Sequence, residues 1–140
     1  DEMRASGAQL TFWTLDVTNL SKMTALIEEY ERNHQGVRLA GVVHAAGMFS
    51  GKRIQSGWTL EEWKLVYDVK AWGAWNLHVA TQHRQLDFFL MLSSISGYMG
   101  FMGSAGYSSA NRFLDVLAQL RCMQNLPATS AGLGVLGDFA

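Results

Sequence analysis

Leu86-Asp87-Phe88-Phe89-Leu90-Met91-Leu92-Ser93-Ser94 leads through Gly97, Gly100, Gly103 and Gly106 into Tyr107-Ser108-Ser109-Ala110-Asn111. The apolar run Leu86 to Leu92 predicts a strand that ends at Ser93. A glycine-rich loop follows. Tyr107 and Asn111 then stand four residues apart at the start of a helix that runs on to Met123, so they share one helical face. Phe113, Leu114, Leu117 and Leu120 give that helix an apolar side. A hydroxyl at a strand end, a phenol and an amide on a helix can converge on one small substrate group.

Upstream, the same alternation recurs. Val37 to His44 is a continuous apolar run, suited to a strand buried on both faces of a parallel sheet. Ala45-Ala46-Gly47 ends it with small residues that allow close approach of a ligand or a helix. Met48 to Gly57 is a loop, and a helix capped by Thr59 runs to about Gln82 with a break near Gly73. Leu10 to Leu15 alternates and is β-branched and aromatic, which predicts a first strand. Asp16-Val17-Thr18-Asn19 supplies turn and cap residues. A helix from Leu20 to Asn33 follows, with Met23, Leu26, Ile27 and Tyr30 on one face. Downstream, Asn125-Leu126-Pro127 ends the late helix, Ala128 to Leu133 is a fourth strand, and Gly134 to Ala140 begins a loop. Strand and helix alternate throughout, which predicts an α/β fold: a parallel Rossmann-like sheet with flanking helices and right-handed crossovers. Ligands bind such sheets off the carboxyl ends of the strands, where Asp16, His44 to Gly47, Ser93 and Ser94 fall.

The 140 residues suffice for one core, and 49% are hydrophobic against 16% charged, a globular composition. A formal net charge of −1 gives no electrostatic basis for binding nucleic acid or an anionic membrane. Cys122 is the single cysteine, which excludes an internal disulfide and suits a cytoplasmic location. No run of 18 apolar residues predicts a membrane span. A nucleotide-binding sheet should begin with a strand, a G-x-G-x-x-G-like turn and a helix. Nothing before Leu10 supplies one, so the expected sheet lacks its first β-α-β phosphate-binding unit. Residues 1–140 are expected to form a single partial domain.

Taken singly, the polar residues have ordinary explanations. Tyr107 is a packing tyrosine, Ser94 a turn serine, Lys70 a solvated helix lysine and Asn111 a cap. His44 ends a buried strand and reads as a hydrogen-bonded structural histidine. His34, His78 and His83 fall on helix surfaces or ends. Trp58, Trp63, Trp72 and Trp75 read as packing residues, because no basic stripe accompanies them. Met99 and Met102 either line a substrate entrance or belong to a loop without function.

Their order carries more than each alone. Gly41-Val42-Val43-His44-Ala45-Ala46-Gly47, Lys70-Ala71-Trp72-Gly73-Ala74-Trp75-Asn76-Leu77-His78, Ser93-Ser94, and Tyr107-Ser108-Ser109-Ala110-Asn111-Arg112-Phe113-Leu114-Asp115 together resemble the short-chain dehydrogenase/reductases. More narrowly, they resemble the ketoreductase domains of polyketide synthases and animal-type fatty acid synthases. Leu126-Pro127-Ala128-Thr129-Ser130 and Leu133-Gly134-Val135-Leu136-Gly137-Asp138 extend the likeness. Most short-chain reductases place a lysine four residues after the tyrosine and an asparagine on the preceding long helix. Here Asn111 follows Tyr107 and Lys70 lies on the earlier helix, the exchange that marks synthase ketoreductases. Ser94 stands at the family's separation, thirteen residues before Tyr107.

The resemblance implies a catalytic tetrad of Tyr107, Ser94, Lys70 and Asn111 and reduction of a β-ketoacyl thioester on an acyl carrier protein. Tyr107 would give the proton as general acid. A phenol holds its proton to a pH of about 10, and a neighbouring ammonium favours the phenolate. Lys70 takes that place. Ser94 would bond the carbonyl oxygen, and Asn111 would orient Lys70 or a relay water. The hydride must come from a nicotinamide, NADPH in most of the family. Asp16 and Val17 resemble the pair that meets the adenine ring, and Ala45, Ala46 and Gly47 the strand end that admits the ribose. Neighbouring synthase domains and a homodimeric parent synthase are the implied partners. Where B-type enzymes carry Leu-Asp-Asp this chain reads Phe49-Ser50-Gly51, and Met99 stands where A-type enzymes carry tryptophan. Leu133 replaces another common tryptophan. The alternatives are a free-standing short-chain reductase of a small ketone and an inactive fragment that cannot bind cofactor alone.

Overall fold

The computed structural model describes residues 7–48 and 58–134. In chain order they form α1 (Leu20–Asn33), β1 (Gly41–His44), α2 (Leu60–Thr81), β2 (Phe88–Ser94), α3 (Ser96–Met99), α4 (Ala105–Met123) and β3 (Thr129–Leu133). The strands make one parallel sheet in the order β1-β2-β3. Val43 pairs with Leu90 and His44 with Met91, while Ser94 pairs with Leu133. The carboxyl ends of all three strands therefore reach one edge. The α/β Rossmann-like class expected from the alternation is the class observed.

Local chemistry sets the helix starts. Asn19 caps α1 by accepting from the Lys22 amide at 3.0 Å. Thr59 and Glu62 form a reciprocal capping box at the start of α2: the Thr59 hydroxyl accepts from the Glu62 amide, and the Glu62 carboxylate accepts from the Thr59 amide. Each satisfies amides that a helix leaves orphaned. Asn125 takes φ 58° just past α4, a left-handed turn that asparagine tolerates.

Val42, Phe89 and Met91 point to one face of the sheet and meet Ala74 of α2 and Leu114, Leu117 and Ala118 of α4. Burying a side chain the size of Phe89 contributes roughly 2–3 kcal/mol. α1 packs on α2, and Arg84 just past α2 grips Glu31 of α1 through two N–O contacts of 2.9 Å. That clasp holds the Glu31 carboxyl below its ordinary range, chiefly through the Arg84 hydrogen bond.

Several expectations need correction. Leu10 to Leu15 forms no strand. A strand needs a hydrogen-bonded neighbour, and a cavity of about 550 Å³, bounded by Leu10, Thr11 and Trp13 on one side and Ala40 and Gly41 on the other, separates it from β1. Leu26, Ile27 and Tyr30 line that cavity, so only Met23 of the expected α1 face is buried. β1 is shorter than Val37 to His44 and is buried on one face, with Val42 and His44 inside and Val43 57% exposed. α2 runs through Gly73 without a break. Phe88 and Trp72 are about half exposed. His78, expected at a surface, is buried and accepts from the Arg121 guanidinium at 3.0 Å. Arg121 is itself fully buried, stacked 3.9 Å from the Phe89 ring and donating to the Pro127 carbonyl. The glycine loop contains the short helix α3, and Gly100 and Gly103 take φ of 70° and 82° to turn the chain into α4. Phe49-Ser50-Gly51, most of the Met48 to Gly57 loop and the end of the Gly134 to Ala140 loop lie outside the described residues.

Candidate active site

β2 delivers Ser93 and Ser94 to the carboxyl edge with opposite orientations, as strand alternation requires. Ser93 is buried and donates to the Asn111 carbonyl at 3.2 Å, tying β2 to α4. Ser94 turns to the other side and accepts from the Ser96 amide at 3.2 Å. α4 carries Tyr107 in its first turn and Asn111 one turn on.

Lys70, Ser94 and Tyr107 line one open cavity of about 260 Å³, whose remaining walls are Leu92, Ser93, Leu133 and Gly134. This hollow is smaller than the one beside α1, but it is where the titratable and hydroxyl groups meet. Lys70 is buried, and its ammonium donates to the Leu92 carbonyl at 2.8 Å. The same Nζ lies 5.8 Å from the centre of the Tyr107 ring. Burial pushes the Lys70 ammonium below its ordinary pKa. Lys70 is thus no solvated lysine: it lies among the buried residues of α2, three positions before Gly73.

Asn111 is fully buried, outside the cavity wall. Its Nδ2 donates to the Tyr107 carbonyl at 2.8 Å, while Oδ1 has no hydrogen-bond partner among the described residues. Such an atom calls for a partner of its own. Close packing positions this turn: a Cβ on Gly97 of α3 would lie 3.0 Å from the Arg112 amide nitrogen and 3.3 Å from the Asn111 Cβ.

Asp16 and Val17 stand before α1. The exposed Asp16 carboxylate accepts from the Thr18 amide at 2.9 Å and the Thr18 hydroxyl at 2.8 Å. The Thr18 amide chiefly, and then its hydroxyl, lower the Asp16 pKa. The Val17 carbonyl accepts from Asn76 of α2 at 3.0 Å, and its side chain sits under Gly73. Ala45, Ala46 and Gly47 follow β1, and a Cβ on Gly47 would lie 3.3 Å from the Lys70 ammonium. The structure thus brings three of the four expected site side chains to one cavity, keeps the fourth behind them, and joins the Val17 segment to the same helix. The sequence did not disclose the Leu92 carbonyl that holds Lys70, nor Gly134 in the cavity wall. A backbone acceptor has no residue-type signal.

The KR domain family model matches residues 1–138. The chain is 36% identical over 138 residues to the reducing polyketide synthase PKS2 of Cochliobolus heterostrophus, covering 99% of this chain and 6% of that protein. It is 34% identical over 134 residues to the mycoketide-CoA synthase of Mycobacterium tuberculosis, covering 96% of this chain and 3% of that one. Among solved structures, a ketoreductase from the first module of phoslactomycin biosynthesis in Streptomyces sp. HK803 matches with a TM-score of 0.84 and 36% identity, over 97% of this chain and 32% of that chain. An A-type ketoreductase of a modular polyketide synthase matches with a TM-score of 0.89 and 29% identity, over 98% and 28%. The chain therefore spans about a third of the solved chains it matches and a small part of the curated relatives.

Proposed function

This chain belongs to the KR domain family, and from that premise we propose that it is the catalytic part of a synthase ketoreductase. The whole ketoreductase reduces a β-ketoacyl thioester, carried on an acyl carrier protein, to the β-hydroxyacyl form with NADPH, and these residues supply its proton chemistry. The observation that carries this is the single cavity lined by Lys70, Ser94 and Tyr107.

Each residue has a role suited to its chemistry. Tyr107 gives its phenolic proton to the ketone oxygen as the oxygen gains charge. Ser94 donates a hydrogen bond to that oxygen. Lys70, held by the Leu92 carbonyl, keeps a positive charge near the phenol and favours proton loss from it. Asn111 holds the Tyr107 turn through its amide and offers Oδ1 to a relay water. The nicotinamide cofactor, when bound, supplies the hydride, which no side chain can donate. Ala45, Ala46 and Gly47 would hold it at the strand end, where Gly47 leaves beside Lys70 the space that a Cβ would fill. Asp16 and Val17 would meet its adenine end. The neighbouring synthase domains, a homodimeric parent and a cytoplasmic location complete the proposal. No helix among the described residues is long and apolar enough to cross a membrane.

The phosphate-binding turn belongs, in this proposal, to a part of the domain other than these 140 residues. Among the described residues no strand pairs with the outer edge of β1, whose first residue Gly41 lines the 550 Å³ cavity, and this with the one-third coverage of solved ketoreductases supports that division. The test follows absorbance of reduced nicotinamide with a β-ketoacyl thioester mimic. A full-length protein oxidises NADPH, and Tyr107→Phe lowers kcat by at least about a hundredfold. The 140 residues alone do not. A Tyr107→Phe protein as active as wild type sinks the tetrad.

A further inference from the structure

His44 ends β1, is 2% exposed, and places Nε2 at 2.8 Å from the main-chain carbonyl oxygen of Lys70. A carbonyl only accepts, so Nε2 carries the hydrogen and donates it, which fixes the tautomer. We infer that His44 is a positioning residue for Lys70, holding the lysine's backbone to the sheet so that its ammonium meets the Leu92 carbonyl and faces Tyr107.

The geometry is a two-point attachment. The Lys70 backbone is bonded to the last residue of β1, and its ammonium to Leu92 of β2. The two strands are adjacent, and His44 pairs in register with Met91, the residue before Leu92. One lysine therefore spans two neighbouring strands from a fixed root. Without the His44 bond this turn of α2 is no longer tied to the end of β1, and the ammonium loses its set position against Leu92 and Tyr107.

The room for the imidazole is built in. Gly73 lies one turn after Lys70, and a Cβ there would stand 3.1 Å from His44 Cε1. Burial pushes the His44 pKa below its ordinary value, so the ring remains a neutral single donor. The titratable groups around this attachment are the Lys70 ammonium and, across the cavity from α4, the Tyr107 phenol. β2 contributes only the Leu92 carbonyl and serine hydroxyls.

The inference rests on the ketoreductase proposal for its consequence in catalysis, but one measurement is independent of it. In the full-length protein, His44→Leu removes the donor, His44→Gln returns an amide donor of similar reach, and His44→Asn carries one too short to reach. Reductase kinetics are measured against pH. In parallel, acetylation of Lys70 by acetic anhydride is followed against pH by peptide mass spectrometry. His44→Leu and His44→Asn are expected to lower kcat about tenfold or more with KM within about twofold, a geometric loss. Both move the pH midpoint of Lys70 acetylation and of the kcat profile, and His44→Gln restores both. A wild-type protein without reductase activity, but with the acetylation midpoint shifted in Leu and Asn and not in Gln, overturns the ketoreductase proposal and retains the positioning role. Unchanged acetylation and kcat–pH midpoints in His44→Leu overturn the positioning role. Should His44→Leu fail to fold, the same unchanged midpoints in His44→Asn overturn it.

Discussion

At the scale of single residues, Gly73 shows how much depends on an absent methyl group. A glycine inside a helix costs about 1 kcal/mol relative to alanine, and the sequence pattern suggested a break there. The helix instead continues, because the missing Cβ makes space. An added one would lie 2.8 Å from Val17 Cγ2 and 3.1 Å from His44 Cε1. Overpacking of this kind costs typically 1–3 kcal/mol, which exceeds the propensity gain. Gly73→Ala is therefore expected to be destabilising by about 1 kcal/mol net, read as a lower urea midpoint with unchanged slope. A midpoint above wild type would mean that propensity wins and the contact yields. Order and spacing singled out Lys70, Ser94, Tyr107 and Asn111, each ordinary when taken alone; the first three line one cavity and Asn111 lies buried behind its wall. His44 was legible only as a buried hydrogen-bonded histidine. Its partner is a main-chain carbonyl 26 residues away, and no side-chain pattern encodes that.

At the scale of elements, α2 carries the most. It brings Lys70 to the site, Gly73 to His44, Asn76 to Val17 and His78 to Arg121. Eight of the twelve positions from Lys70 to Thr81 are buried, polar and apolar together, so no narrow apolar stripe distinguished inside from outside. That is why His78 read as a surface residue. The start of α2 was legible, because a Thr-x-x-Glu box is a local signature. Thr59→Ala removes the accepting hydroxyl of that box and is expected to lower stability by about 1 kcal/mol, measured by chemical denaturation. Full stability in the variant would mean that tertiary packing alone defines the start of α2. Leu10 to Leu15 gives the opposite lesson. Its alternation is a strand pattern, but pairing is a property of two segments, and the edge of β1 lies across a cavity from it.

At the scale of the whole molecule, two buried histidines couple folding to pH. Burial depresses both His44 and His78, and the Arg121 charge depresses His78 further. Their folded pKa values lie below the unfolded value of about 6.5. Below that pH the unfolded chain binds more protons than the folded one, so stability is fully present above about 6.5 and falls as pH drops through that window. The carboxylates of Asp16 and Glu31, also depressed, add a second loss at lower pH. The thermal midpoint is expected to fall between pH 7.5 and pH 5.5, before those carboxylates titrate. A flat profile over that interval would contradict the burial of both rings. The sheet order has a further consequence for how the chain comes to be folded. Among the described residues, strands that are consecutive in sequence are neighbours in the sheet, β1 beside β2 and β2 beside β3. As the nascent chain leaves the ribosome, β1 waits only for α2 and β2, and β2 only for α4 and β3, so each crossover can dock before the following one is made. β3 is the last of the three described strands to leave the ribosome, and with Leu133 and Gly134 at its end it adds the last wall of the Lys70–Tyr107 cavity. The cavity that gathers Lys70, Ser94 and Tyr107 is therefore complete only once β3 has docked on β2.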